Sequence, residues 1–181
     1  LGLAAATLLA RSHERDAVRI AVELVSRDVA ANQLAAAFDD WIEDALSAVL
    51  RIALEQADWR AAALDLACEL GERANERPAS VEQLRVCLRD SFSDLDNYVR
   101  VAVLRGLGRF GQADDAALLL SCTRDGDVDV AVAAGNALRD LAFRAPAAVR
   151  QVLSNATPSG PAGLAVAELL VDLGARDALD R

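Results

Sequence analysis

The chain has 181 residues, of which 54% are apolar and only 4% aromatic, and it carries a formal charge of −9 at neutral pH. That length and apolar share suffice to bury a sizeable core built mainly of Ala, Leu and Val. The charge excludes a general nucleic-acid or anionic-membrane surface, because binding to phosphate rests on counterions displaced by clustered cations. All 19 basic residues are Arg, a usage that reflects a GC-rich coding sequence more simply than a function.

The apolar stretch from Leu1 to Ala10 is too short to span a bilayer and lacks the basic flank and cleavage pattern of a signal peptide, so it reads as a first helix. Ser12, His13 and Asp16 have the letters of a catalytic triad, but neighbours at one helix start cannot orient a nucleophile, a base and an acid on one another. Two apolar patterns, Val29 to Phe38 and Ile42 to Glu55, lie between Val18 and Trp59 and predict one extra turn or short helix there. The cluster Asp39, Asp40, Glu43 and Asp44 lacks the glycine and spacing of a calcium loop, and a solvated helix start accounts for it better. Ser80-x-x-Gln83 after Pro78 has the form of a capping box and predicts a helix to about Asp90. Asp96 and Asp127 are natural N-caps, and Gly111 ends the helix that Asp96 begins. Further helices are expected near Ala113 to Cys122 and Pro146 to Leu153, and Pro161 suits a first helical turn after Ser159-Gly160. The helical pattern is still running at Leu179, and no initiating Met is present, so the sequence reads as a piece of a longer array. Alternating β-branched runs are missing, and Asp125-Gly126 sits between helical patterns rather than in a hairpin.

Asp96 to Phe110 aligns without a gap on Asp127 to Leu141, 31 residues later. With Val99-Arg100 as the first two places, the equivalent pairs are Val18-Arg19, Trp59-Arg60, Val130-Ala131 and Ala162-Gly163, at intervals of 41, 40, 31 and 32 residues. Small or apolar residues recur at places one, four, five, eight, nine and twelve, as in Val99, Ala102, Val103, Gly106, Leu107 and Phe110. This is one buried helical stripe, and a lone repeat has nothing to bury it against. The fold class expected is therefore all-α, a right-handed superhelix of about five helical pairs occupying residues 1–181 as a single solenoid.

The segment Val99-Arg100-x-Ala102-Val103-x-x-Gly106-Leu107-Gly108-x-Phe110-Gly111 resembles the second helix of a HEAT repeat, of the short variety first noted in phycobilisome lyases. Ala131 and Gly163 depart from the family's Arg, and the first repeat lacks the Leu-Gly ending. The resemblance implies an armadillo-like architecture in which second helices line a concave face. It leaves function open, because the family includes scaffolds, transport receptors, lyases and DNA glycosylases.

Places seven and eleven are neighbours on one helical face, and they hold Asp65 and Glu69, Arg105 and Arg109, Asn136 and Asp140, and Glu168 and Asp172. By resemblance this row lies in the groove, where it either binds a partner or forms inter-repeat ion pairs such as Glu69 with Arg105 and Arg109 with Asp140. Paired Arg residues flanked by carboxylates favour an acidic or mixed-charge protein segment. The expected function is a non-enzymatic, cytoplasmic scaffold for a protein or peptide, with no nucleic acid, membrane, metal or cofactor. The alternative is a HEAT-like enzyme of the glycosylase or bilin-lyase kind, using Arg19, Arg60 and Arg100 as a basic strip. His13 is the only histidine, which disfavours zinc, and Cys68, Cys87 and Cys122 read as buried reduced thiols. Trp59 is expected in the core, whereas Trp41 suits either the core or a partner contact.

Overall fold

The structure is a computed structural model and describes residues 2–11, 15–74, 78–93, 96–154 and 163–179. Every element among them is helical, with no strand. Ser12, His13, Ser159, Gly160, Pro161 and Ala162 lie outside the described residues. The helices gather into two compact units, Leu1–Asp94 and Leu95–Arg181.

The first unit holds α1 (Gly2–Arg11), α2 (Arg15–Val25), α3 (Ala31–Ala35), α4 (Ile42–Glu55), α5 (Arg60–Arg73) and α6 (Pro78–Ser91). The extra element expected between Val18 and Trp59 is α3 running into a 3₁₀ segment, Ala36–Trp41. Helix α5 packs against α2, α3, α4 and α6, and it buries Ala62, Ala63, Leu64, Leu66, Ala67 and Leu70. Those small residues leave room for neighbours on several sides. Trp59, expected in the core, is half-buried at the turn before α5. Trp41 is structural: its indole N–H donates to the Ala10 carbonyl at 2.7 Å, and its ring tilts against Phe38 with centroids 5.4 Å apart. The Ser80–Gln83 capping box is not what starts α6, because the helix already runs from Pro78, two residues earlier. Proline suits that first turn, where its missing N–H is not needed.

The second unit holds α7 (Asn97–Phe110), α8 (Ala116–Cys122), α9 (Val128–Arg144), α10 (Pro146–Ser154) and α11 (Gly163–Leu179). Alternate helices stack, α7 on α9 and α9 on α11 in one layer, α8 on α10 in the other. The expected stripe of α7 is buried from Val99 to Leu107, with Phe110 half-buried, and Leu104 and Gly108 are buried as well. The wider arc follows from α7 lying against α9 through a second face. The closest approach is at Gly108, where a Cβ would stand 2.8 Å from the Ala137 Cα. Only glycine admits the α9 backbone at that distance.

Both aspartate caps form. Asp96 accepts from the Tyr98 N–H at 2.7 Å, and Asp127 accepts from the N–H groups of Asp129 and Val130 at 3.0 Å. The other Asp127 carboxylate oxygen accepts from the Asn97 side-chain amide at 2.7 Å, which ties the start of α7 to the start of α9. At the opposite ends, the Arg144 guanidinium donates to the Gly108 carbonyl at 2.5 Å. That carbonyl is among the last four of α7, which have no partner within their own helix. The Gly111 N–H donates to the Leu107 carbonyl at 2.8 Å. The pair α7 and α9 is therefore bonded at both ends as well as packed along its length.

Candidate partner-binding groove

Of the eight residues in the polar row, Arg105, Arg109, Asn136 and Asp140 come together. They line one groove of about 440 Å³ between α7 and α9. Asp65 and Glu69 stand half-buried on α5, in the other compact unit. Glu168 and Asp172 are exposed on α11, and Glu168 meets Arg139 of α9 at 3.8 Å rather than a member of the row.

The groove's two walls have opposite charge. On α7 the wall is Tyr98, Val101, Arg105 and Arg109; on α9 it is Asp129, Val132, Asn136 and Asp140. Arg105 is exposed and makes no hydrogen bond or ion pair among the described residues. The Asn136 side-chain oxygen accepts from Arg139 at 3.3 Å, which leaves its amide N–H groups to point elsewhere. Each wall also carries apolar surface that no described helix covers: Tyr98 is 82% exposed and Val132 is 47% exposed.

The sequence reading missed Tyr98, Val101, Asp129 and Val132. Their signal was nonetheless present in the repeat frame. Tyr98 and Asp129 both precede the first place, and Val101 and Val132 both occupy the third. Continued by three or four residues at a time, these places run straight into seven and eleven along one helical face.

Other arginines are committed to the frame. Arg100 pairs with Asp125 in the turn before α9, and Asp125 also accepts from the Asp127 N–H at 3.0 Å. The bond from Arg100, followed by that from the backbone, holds the Asp125 carboxyl below its ordinary value and raises Arg100 correspondingly. Arg60 donates to the Ala53 carbonyl at the end of α4, 2.8 Å away. Two members of the suggested basic strip thus serve helix ends and turns. Burial pushes the Arg144 guanidinium down from its usual value, against the opposing charge of Asp140. In the acidic cluster, Asp39 takes both of its bonds from Arg73 at 2.5 Å, which lowers its carboxyl. No group of ligands able to hold a metal occurs among the described residues. Cys68, Cys87 and Cys122 are buried, as expected, and form no disulfide among the described residues; desolvation raises the thiols of Cys87 and Cys122. None of the described helices is long and apolar enough to cross a membrane.

The chain matches no protein-family model, no curated protein and no solved structure.

Proposed function

We propose that the chain is a HEAT-like α-solenoid that acts as a non-enzymatic scaffold, holding a protein or peptide segment in the groove between α7 and α9. The observation that carries this reading is the groove's polarity: arginines on one wall and Asp129 and Asp140 on the other, with an exposed apolar side chain on each, Tyr98 and Val132. A segment with carboxylates along one edge and amino or guanidinium groups along the other satisfies both walls at once. An apolar side chain between them covers Tyr98 and Val132. Interfaces draw affinity from such desolvated aromatic anchors and draw register from charge complementarity at the rim. The stacking of alternate helices within Leu95–Arg181 supports the solenoid reading, and the absence of membrane-spanning helices among the described residues is compatible with a cytoplasmic setting.

The test is selection of peptides from a random display library on the native protein, followed by titration against the double variant Arg105→Glu, Arg109→Glu. Both positions are exposed, so at about 0.2 M NaCl, where the added negative charge is screened, the variant is expected to melt within about 2 °C of the native chain. Selected peptides should carry acidic residues beside an apolar one and lose at least roughly tenfold in affinity for the variant. Peptides bound equally by both forms would place recognition elsewhere. A variant that loses several degrees of melting temperature would make the arginines structural.

A further inference from the structure

The first unit carries a second trough, of about 520 Å³, between α4 and α6. Its walls are two stripes that face each other. On α4 the stripe runs from Ser47 through Leu50 and Leu54 to Glu55, and on α6 from Glu82 through Val86 to Asp90. Each covers about eight residues, roughly 12 Å of helix axis, or two turns. The two apolar side chains at the mouth are out in solvent: Leu54 is 56% exposed and Val86 is 48% exposed, above the buried Leu50 and Cys87. Apolar positions four residues apart, Leu50 and Leu54, placed opposite Val86 make a seat for the apolar face of another helix.

The rim identifies the occupant. It bears Glu55, Glu82 and Asp90 against one guanidinium, that of Arg51. Glu82 is engaged by Arg85 of its own helix, whereas Glu55 and Asp90 make no ion pair among the described residues. A second copy of this chain, with its charge of −9, brings like charge to an acidic rim and is disfavoured on that ground. We infer that the trough between α4 and α6 is a docking site for a basic amphipathic helix, which lays a leucine-type stripe over Leu54 and Val86 while its flanking Lys or Arg residues meet Glu55 and Asp90. This surface is separate from the α7–α9 groove and stands whether or not that groove binds a partner.

The experiment uses the full chain as bait for a display library of short helical peptides, with Leu54→Ser, Val86→Ser as the counter-bait. Both side chains are about half exposed, so thermal unfolding should stay close to that of the native chain and serves as the control for folding. Peptides retained by the native chain and lost on the counter-bait should carry Lys or Arg beside an apolar stripe. Their affinity should fall at least roughly tenfold for Leu54→Ser, Val86→Ser and by a similar factor for Glu55→Lys, Asp90→Lys. Acidic or neutral winners, winners indifferent to either variant, or no differential winners would overturn the inference. So would sedimentation showing a native dimer that Leu54→Ser, Val86→Ser dissociates, because the occupant would then be a second copy.

Discussion

Asp125 joins two parts of the second unit through one carboxylate, accepting from Arg100 of α7 and from the backbone N–H of Asp127 ahead of α9. Both bonds favour the ionised form, so the folded state holds its pKa below the ordinary 3.8. A depressed carboxyl contributes stability that is complete above the unfolded value and is lost as pH falls through the folded one. Asp39, bonded by Arg73, acts in the same direction. Asp125→Asn should therefore lower stability at neutral pH by about 1 kcal/mol, between the value of an exposed ion pair and that of a charge-assisted bond. Urea unfolding of both forms should show that gap narrowing as pH falls from the ordinary 3.8 downward through the depressed folded value. A gap that stays constant throughout that acid range would mean that the Asp125 charge contributes nothing. Neither this carboxylate's role nor that of Asp28 was legible beforehand. Asp28 sits at φ 66° after α2, where the Val29 N–H reaches the Leu24 carbonyl at 3.0 Å and closes the helix. That left-handed position usually falls to glycine or Asn, and an Asp followed by Val gives no such signal.

Helices α7 and α9 meet through a close approach that local propensity opposes. Replacing a helical glycine with alanine ordinarily stabilises, by up to about 1 kcal/mol in a helix interior. At Gly108 the added methyl would stand 2.8 Å from the Ala137 Cα and 3.1 Å from its Cβ. The first of these is backbone, so relief requires the helices to part, and overpacking of this kind costs about 1 to 3 kcal/mol. Gly108→Ala should be net destabilising by about 1 kcal/mol in denaturant unfolding. Adding Ala137→Gly should not restore stability, since the clash with the α9 backbone stays and a glycine in the middle of α9 itself costs about 1 kcal/mol. Stabilisation by Gly108→Ala would show that the interface yields without cost. The repeat frame made the stacking of these helices legible through Gly106 and Leu107, which lie on the expected stripe, but not this contact, because Gly108 is the tenth place and falls outside that stripe. Helix ends were less so. The two aspartate caps were found from residue type, yet Pro78 and not Ser80 starts α6, since a proline-led first turn and a Ser-x-x-Gln box offer competing start signals two residues apart. The site was half legible: periodicity gave Arg105, Arg109, Asn136 and Asp140, but Tyr98 and Val132, on the same face nearer the helix N-termini, are not polar and so fell outside a row picked out by polarity.

At the scale of the whole molecule two electrostatic effects of opposite sign compete. A chain of charge −9 repels itself, which disfavours the compact state, whereas pairs such as Arg73 with Asp39 and Arg139 with Glu168 attract. Salt weakens both, with a screening length of about 10 Å at 0.1 M. The pairs are short, partly exposed and worth about 0.2 to 1 kcal/mol each. Their attraction acts within the screening length, while the repulsion among unpaired carboxylates acts mostly across longer distances and is screened first. Raising NaCl from about 0.02 to 0.2 M should therefore raise the melting temperature. A gain of about 1 kcal/mol corresponds to roughly 2 to 4 °C for a chain of this length. Differential scanning calorimetry across that range decides the matter: a melting temperature that falls with salt would mean that the arginine pairs outweigh the net charge. In that case the 19 arginines would act chiefly as internal ties, and Arg105, exposed and unpaired among the described residues, would stand out the more sharply as a residue facing a partner.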